Sequence, residues 1–285
     1  MNRCLRANAR LTVTAGLAAI LVLLGSSCAG PPKRHAVPVE QMDAAELPGL
    51  PGVRDWADQF SAELQADIIK SVRDERPGDY PRITEGFPLY DVLALSGGGA
   101  NGAFGAGFLN GWTASGERPV FKLITGISTG ALIAPFAFLG PDYDDELKTA
   151  YTTLSTEDII DVSKLKARKR AAVADTRPLA EQIESWFGEE ELTAIAMEHA
   201  RGRRLYIGTT NLDAQRPVLW NMGAIAASGH PGAPELFHTI MLASASIPVA
   251  RPATFQLSPS PSTFRPALAL ALMLAVPATV ASALT

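Results

Sequence analysis

Residues 91–140 most narrow what this chain can fold into. DVLALS (91–96) is a short apolar run stopped by Gly97, Gly98 and Gly99. An apolar run of that length bounded by glycine reads as a strand. GGGANGAFGAGFLNGWTASG follows, and Ala100 to Ala114 fits a helix with a small-residue face suited to close packing on a sheet. VFKLITG (120–126) is a second strand and ALIAPFAFLG a second helix. Strand, glycine loop, helix, strand, serine turn and helix make a βαβ unit, and its crossover leaves the two strands parallel. Both strands deliver their carboxyl ends to one sheet edge, where α/β proteins build their sites. The reading is an α/β domain with a mainly parallel central sheet, starting at Tyr90.

Two motifs fall on that edge. Gly126-Ile127-Ser128-Thr129-Gly130 fits G-x-S-x-G, in which glycines flank the serine because side chains there would clash in a sharp turn. The helix after Ser128 points its N-terminus back at the hydroxyl, so its amides and dipole can help hold an oxyanion. Gly97-Gly98-Gly99-x-x-Gly102 is the other motif. Glycine loops between strand and helix can cradle phosphates, but the spacing here is not G-x-G-x-x-G and no Lys-Ser/Thr pair follows. Glu117, about twenty residues on, precedes the second strand instead of ending it. An oxyanion hole is the better reading of the loop, with a nucleotide-binding α/β module as the alternative.

Together the motifs resemble the patatin-like phospholipase family, whose fold is a three-layer α/β/α arrangement. In that family G-G-G-x-[RK]-G supplies the oxyanion hole and G-x-S-x-G the nucleophile about thirty residues later. Here Gly98 and Ser128 are 30 positions apart. The resemblance runs from about Asp91 to Pro248. It takes in TTNLDAQRPVLWNMGAIA (209–226) and ASASIP (243–248), which resemble later core segments of the family. It implies hydrolysis of a lipid acyl ester, phospholipid or lysophospholipid, with Ser128 as nucleophile. Amides of Gly97, Gly98 and Gly99, with that of Thr129, would hold the oxyanion. Asn101 stands where the family has Arg or Lys, which removes a positive charge near that anion. No cofactor or metal is implied.

The same resemblance demands an aspartate in a D-G-[GA] motif downstream of ASASIP, since the family works through a Ser–Asp dyad. No D-G dipeptide occurs, and Glu235 is the last acidic residue of the sequence. Asp213 lies in a core segment and reads as structural. His199, His230 and His238 could be imagined in a Ser-His-Asp triad, although a histidine is more often a satisfied structural residue than a base. The expectation is a lipid ester hydrolase that lacks its dyad aspartate; the alternative is a non-catalytic lipid-binding lipoprotein.

Composition restricts the partners. A net charge of −4 and a pI near 5.6 argue against nucleic acid, which selects a basic face. The only cysteines are Cys4 and Cys28. Arg3, Arg6 and Arg10 followed by uncharged Leu11–Leu24 resemble a signal peptide. LLGSSCAG resembles the lipobox of bacterial lipoproteins with Cys28 lipidated, although Gly25 stands where that motif prefers Leu. The reading is an exported lipoprotein anchored at the cell envelope, periplasm or outer membrane; the alternative is a secreted protein cleaved nearby.

Residues 29–54, rich in Pro, Gly and Ala, read as a tether. Residues 55–89 read as an amphipathic helix, with Trp56, Phe60, Leu64, Ile68 and Ile69 at helical spacing, followed by a linker. YDDELKTAYTTL, PLAEQIESWFG and ELTAIAMEHARG read as helices, RLYIGTTNL and PVLWNMG as strands. The basic run KLKARKRAA (164–172) reads as a solvated helix face, or alternatively as a site for anionic headgroups. After Pro252 the character changes: the tail, 253–285, has no acidic residue and is mostly Ala, Leu, Pro, Ser, Thr and Val. Residues 267–285 are long enough to suggest a membrane span, but Pro277 interrupts them. The shift coincides with the end of the resemblance, so the expectation is that the native reading frame was lost near Ala250–Phe255.

Overall fold

The computed structural model describes residues 37–83, 86–153 and 176–246. The expectations for Cys28, the basic run and the tail lie outside these residues. The chain divides into two units, Met1–Ala45 and Glu46–Thr285. In the first, Val39–Gln41 forms one turn of 3-10 helix. The second holds a five-stranded sheet in the order β1-β5-β4-β3-β2.

The strands are β1 (Arg54–Trp56), β2 (Asp91–Leu95), β3 (Phe121–Ile127), β4 (Arg204–Asn211) and β5 (Arg216–Asn221). β2, β3 and β4 are parallel, while β4–β5 is an antiparallel hairpin and β1 pairs antiparallel with β5. The helices are α1 (Ala62–Arg73), α2 (Gly102–Ala114), α3 (Thr129–Leu139), α4 (Asp144–Thr153), α5 (Arg177–Trp186), α6 (Glu189–Ala200), α7 (Met222–Ala227) and α8 (Ala233–Ala245). A mixed, mostly parallel sheet flanked by helices is the expected α/β/α architecture.

α3 is the centre of the core. A helix that is apolar on every side belongs inside, and every residue from Thr129 to Phe138 is buried. Phe136 meets Phe187 at 4.7 Å between ring centroids, and Phe187 meets Phe237 at 6.1 Å, which ties α3, the end of α5 and α8 together. Each such ring is worth about 1.5–3 kcal/mol relative to exposure. The ring pair Trp112–Phe121, at 5.7 Å, holds the far end of α2 against the start of β3.

The sheet begins earlier than Tyr90. Trp56 does not lie on an amphipathic helix: with Arg54 and Asp55 it forms edge strand β1, opposite Trp220, Leu219 and Val218. The Arg54 and Arg216 guanidinium groups cover the Trp56 ring at 4.7 and 4.2 Å. Phe60 is 77% exposed and precedes the helix. Ser61 sets the true start, because its side chain accepts a hydrogen bond from the Leu64 amide at 2.9 Å.

α1 is fastened by polar groups as well as by its half-buried apolar residues. The Asp67 carboxylate accepts hydrogen bonds from Arg204 Nε (2.7 Å), the Tyr206 hydroxyl (2.6 Å) and Asn221 Nδ2 (3.0 Å). Arg204 is fully buried. Lys122 donates to the Ser71 carbonyl at 2.9 Å and pairs with Glu75.

Candidate functional site

The site is built where β3 turns into α3. Ser128 sits at φ 56° and ψ −124°, a left-handed backbone conformation uncommon for a residue with a side chain. A Cβ at Gly126 would run into the Gly130 carbonyl, and a Cβ at Gly130 into the carbonyls of Leu95 and Ser96. The two glycines thus let the serine turn lie directly on the end of β2. Main-chain packing, more than turn flexibility, requires glycine at both positions.

The glycine loop reaches the same point. A Cβ added to Gly97 would come within 2.9 Å of Ser128 Cβ and 3.5 Å of its hydroxyl oxygen. Gly99 has φ +54° and opens a 3-10 turn, Gly99–Asn101, closed by the Asn101 amide donating to the Gly98 carbonyl at 3.1 Å. Gly102, the first residue of α2, is packed so closely on Thr129 and Tyr151 that no Cβ would fit. The predicted residues Gly97, Gly102, Gly126, Ser128, Thr129 and Gly130 are therefore in one place. Asn101 is exposed and makes no capping bond to α2.

Two residues that the sequence reading passed over support this turn. Ser244, on α8, accepts the Ser128 amide at 2.9 Å and donates to the Gly208 carbonyl of β4 at 2.6 Å. One hydroxyl thereby links the elbow, a helix and a strand. Tyr151, on α4, donates to the Thr129 carbonyl at 3.1 Å and lies 2.8 Å from the Thr129 hydroxyl. Burial pushes the Tyr151 hydroxyl up to about 12, so it remains a neutral donor. ASASIP contains Ser244, but nothing local reveals its partners, which lie 116 and 36 positions away.

The titratable candidates have other surroundings. Among the described residues, no hydrogen bond to the Ser128 hydroxyl is present. His199 precedes Arg204, the β4 residue that pairs with Leu123 at the start of β3. It therefore belongs to the opposite sheet edge, at least about 13 Å from the elbow by strand rise. Its Nδ1 is buried and has no partner among the described residues, and burial followed by the Arg204 charge pulls its pKa down to about 4. His238 bonds through Nε2 to the Phe187 carbonyl at 2.7 Å. His230 Nδ1 accepts the Gly232 amide at 3.0 Å. The Asp213 and Ala214 amides both donate to Asn211 Oδ1 at 3.0 Å, closing the β4–β5 turn.

Among the described residues no group of acidic, histidine or cysteine side chains could hold a metal ion. No helix among them is long and apolar enough to cross a membrane. A cavity of about 300 Å³ lies against β4 and β5, lined by Leu47, Arg54, Thr210 and Trp220 among others, and does not include Ser128.

No curated protein matches the chain significantly. The family model described as patatin-like phospholipase matches residues 93–264, more than half of the chain and all of the elbow and glycine loop. The chain belongs to the patatin-like phospholipase family.

Proposed function

We propose that this chain is a lipid acyl ester hydrolase, of the phospholipase or lysophospholipase kind, in which Ser128 is the nucleophile. The observation that carries the reading is the left-handed Ser128 at the head of α3 with the Gly97 backbone against its side chain. Ser128 Oγ adds to the ester carbonyl carbon as its proton passes to water, and the carbonyl oxygen gains the negative charge. Collapse of that oxyanion breaks the bond to the alcohol oxygen, which leaves with a proton from water. A second water hydrolyses the acyl-Ser128 ester to the free acid. The Ser128 amide is engaged by Ser244, so the oxyanion falls to the amides of Thr129, Gly98 and Gly99. Each such donor is worth about 2.7–4 kcal/mol of barrier.

The family's Ser–Asp dyad assigns proton transfer to an aspartate that this sequence does not supply. A serine hydrolase that has only its oxyanion loop and binding keeps roughly 10³–10⁴-fold acceleration over water, which is the rate expected of residues 1–285 assayed by themselves. A fluorophosphonate probe is expected to label Ser128 and to leave Ser128→Ala unlabelled. Equal labelling of both would overturn the nucleophile assignment.

The reading extends to location. The basic N-terminus and LLGSSCAG support export and anchoring through Cys28. Radiolabelled palmitate incorporation in cells, abolished by Cys28→Ser, is the corresponding measurement.

A further inference from the structure

α2 is an anomaly for a surface helix. From Gly97 to Gly116 the chain carries no charged residue. The exposed positions of α2 include Ala103, Phe104, Gly107, Phe108 and Gly111. Surface helices ordinarily turn charged or polar residues outward. Here Phe104 is 80% exposed and Phe108 56%, with their rings stacked at 6.3 Å. Two neighbouring, largely exposed phenylalanines on an uncharged helix form an apolar surface that water does not favour.

The position of this surface identifies what it meets. α2 starts at Gly102, which is packed on Thr129, so Phe104 lies within a turn of the elbow. Ile127, the residue before Ser128, is 52% exposed, and Leu212, just past the end of β4, is 57% exposed. β2, β3 and β4 are parallel, so Phe104, Ile127 and Leu212 stand at the carboxyl edge that carries Ser128, and Phe108 follows one turn further down α2, towards Trp112. Members of the patatin-like phospholipase family act on lipid, a substrate that presents itself as an aggregate with an apolar interior. Aromatic side chains beside an uncharged backbone suit the boundary of such an aggregate.

We propose that Phe104 and Phe108 form a lipid-docking face that starts at this edge and enters the acyl layer, with Ile127 and Leu212 exposed at the same edge, and that it brings Ser128 to its ester. The inference rests on the reading of Ser128 only for the word ester. Docking itself follows from the surface and the family. α2 itself brings no cation to the face, so the contribution of Phe104 and Phe108 is apolar contact, which persists at high salt.

The test places a fluorophore in the face. Phe104→Trp in the full chain is mixed with zwitterionic phosphatidylcholine vesicles at high salt, with and without brominated acyl chains. Expected is a blue shift, with at least about twofold quenching by brominated lipid beyond that of the wild type. Emission unchanged by vesicles would overturn the proposal. So would a blue shift that rises with protein concentration alone, which means that a second copy covers the face. A shift already complete in dilute protein means that another part of the chain covers it, and is equally fatal.

Phe104→Asp/Phe108→Asp provides the second arm. It is expected to label normally with a small soluble fluorophosphonate but at least about tenfold more slowly with a phosphonate carried on a vesicle phospholipid. Equal loss with both probes would overturn docking. Lipid quenching of the Phe104→Trp variant without any labelling of Ser128 would instead sink the nucleophile and leave docking in place.

Discussion

Removing one hydroxyl, in Ser244→Ala, tests whether the elbow is held from outside. The native oxygen accepts the Ser128 amide at 2.9 Å and donates to the Gly208 carbonyl at 2.6 Å. Alanine keeps the Cβ, so packing hardly changes. What is lost is the acceptor for one inward-facing amide and a donor for one strand carbonyl. Leaving a buried donor unsatisfied costs about 1–3 kcal/mol. For a domain of this size each kcal/mol lowers Tm by about 2–4 °C. A second effect concerns geometry. Ser128 is held at φ 56°, and residues in sparsely populated backbone regions store about 1–3 kcal/mol that surrounding contacts must maintain. Freed from Ser244, the turn can relax away from Gly97. Thermal unfolding and the rate of fluorophosphonate labelling should therefore fall together, and Ser244→Thr, which keeps the hydroxyl, should restore both. If Ser244→Ala melts and labels like the wild type, the elbow holds its own shape and the reasoning is refuted.

Two other expectations can be checked on the same material. Gly130→Ala places a methyl group against the main-chain carbonyls of Leu95 and Ser96, so a loss beyond about 4 kcal/mol is expected, read as failure to yield folded protein, whereas Gly107→Ala, where nothing lies within 4 Å, should be neutral or slightly stabilising in urea unfolding. His199, held near pKa 4 against an ordinary 6.5, stays neutral in the fold while the unfolded chain takes up a proton, so its destabilising effect grows as pH falls from about 6.5 towards 4; His199→Gln should flatten that part of the stability–pH curve, and an unchanged curve would show that the histidine does not titrate differently on folding.

The segment 91–140 is legible in the sequence because its signals are local. Gly97 and Gly126 punctuate apolar runs too short to be helices, and the first surrounding elements follow from them within a residue or two. Trp56 and Phe60 mislead for the opposite reason. Their spacing is helical, but three residues at Arg54–Trp56 find a partner strand more than 160 positions later, and pairing at that distance leaves no trace in a local window. α8 is legible in principle, with Pro234 in its first turn and Phe237, Ile240 and Met241 on a buried side. Ser244 is not, since serine at a helix end has many uses and only the assembled β4 and elbow give it this one. The histidines look alike in sequence. Burial and backbone partners separate them from the elbow.

The Asp67 clamp has a consequence for how the chain is made. Its partners Arg204, Tyr206 and Asn221 are 137, 139 and 154 positions downstream. β1 waits equally for β5. Synthesis proceeds from the N-terminus, so α1 and β1 are completed early yet have nothing to hold until residue 221 has left the ribosome. During that interval Asp67 remains solvated and Trp56 uncovered, while the βαβ unit of residues 91–140 can already form from contacts within itself. The first structure to be made is thus among the last to be fastened, and a pause in translation before Asn221 would leave a nascent chain with a folded centre and a loose leading end.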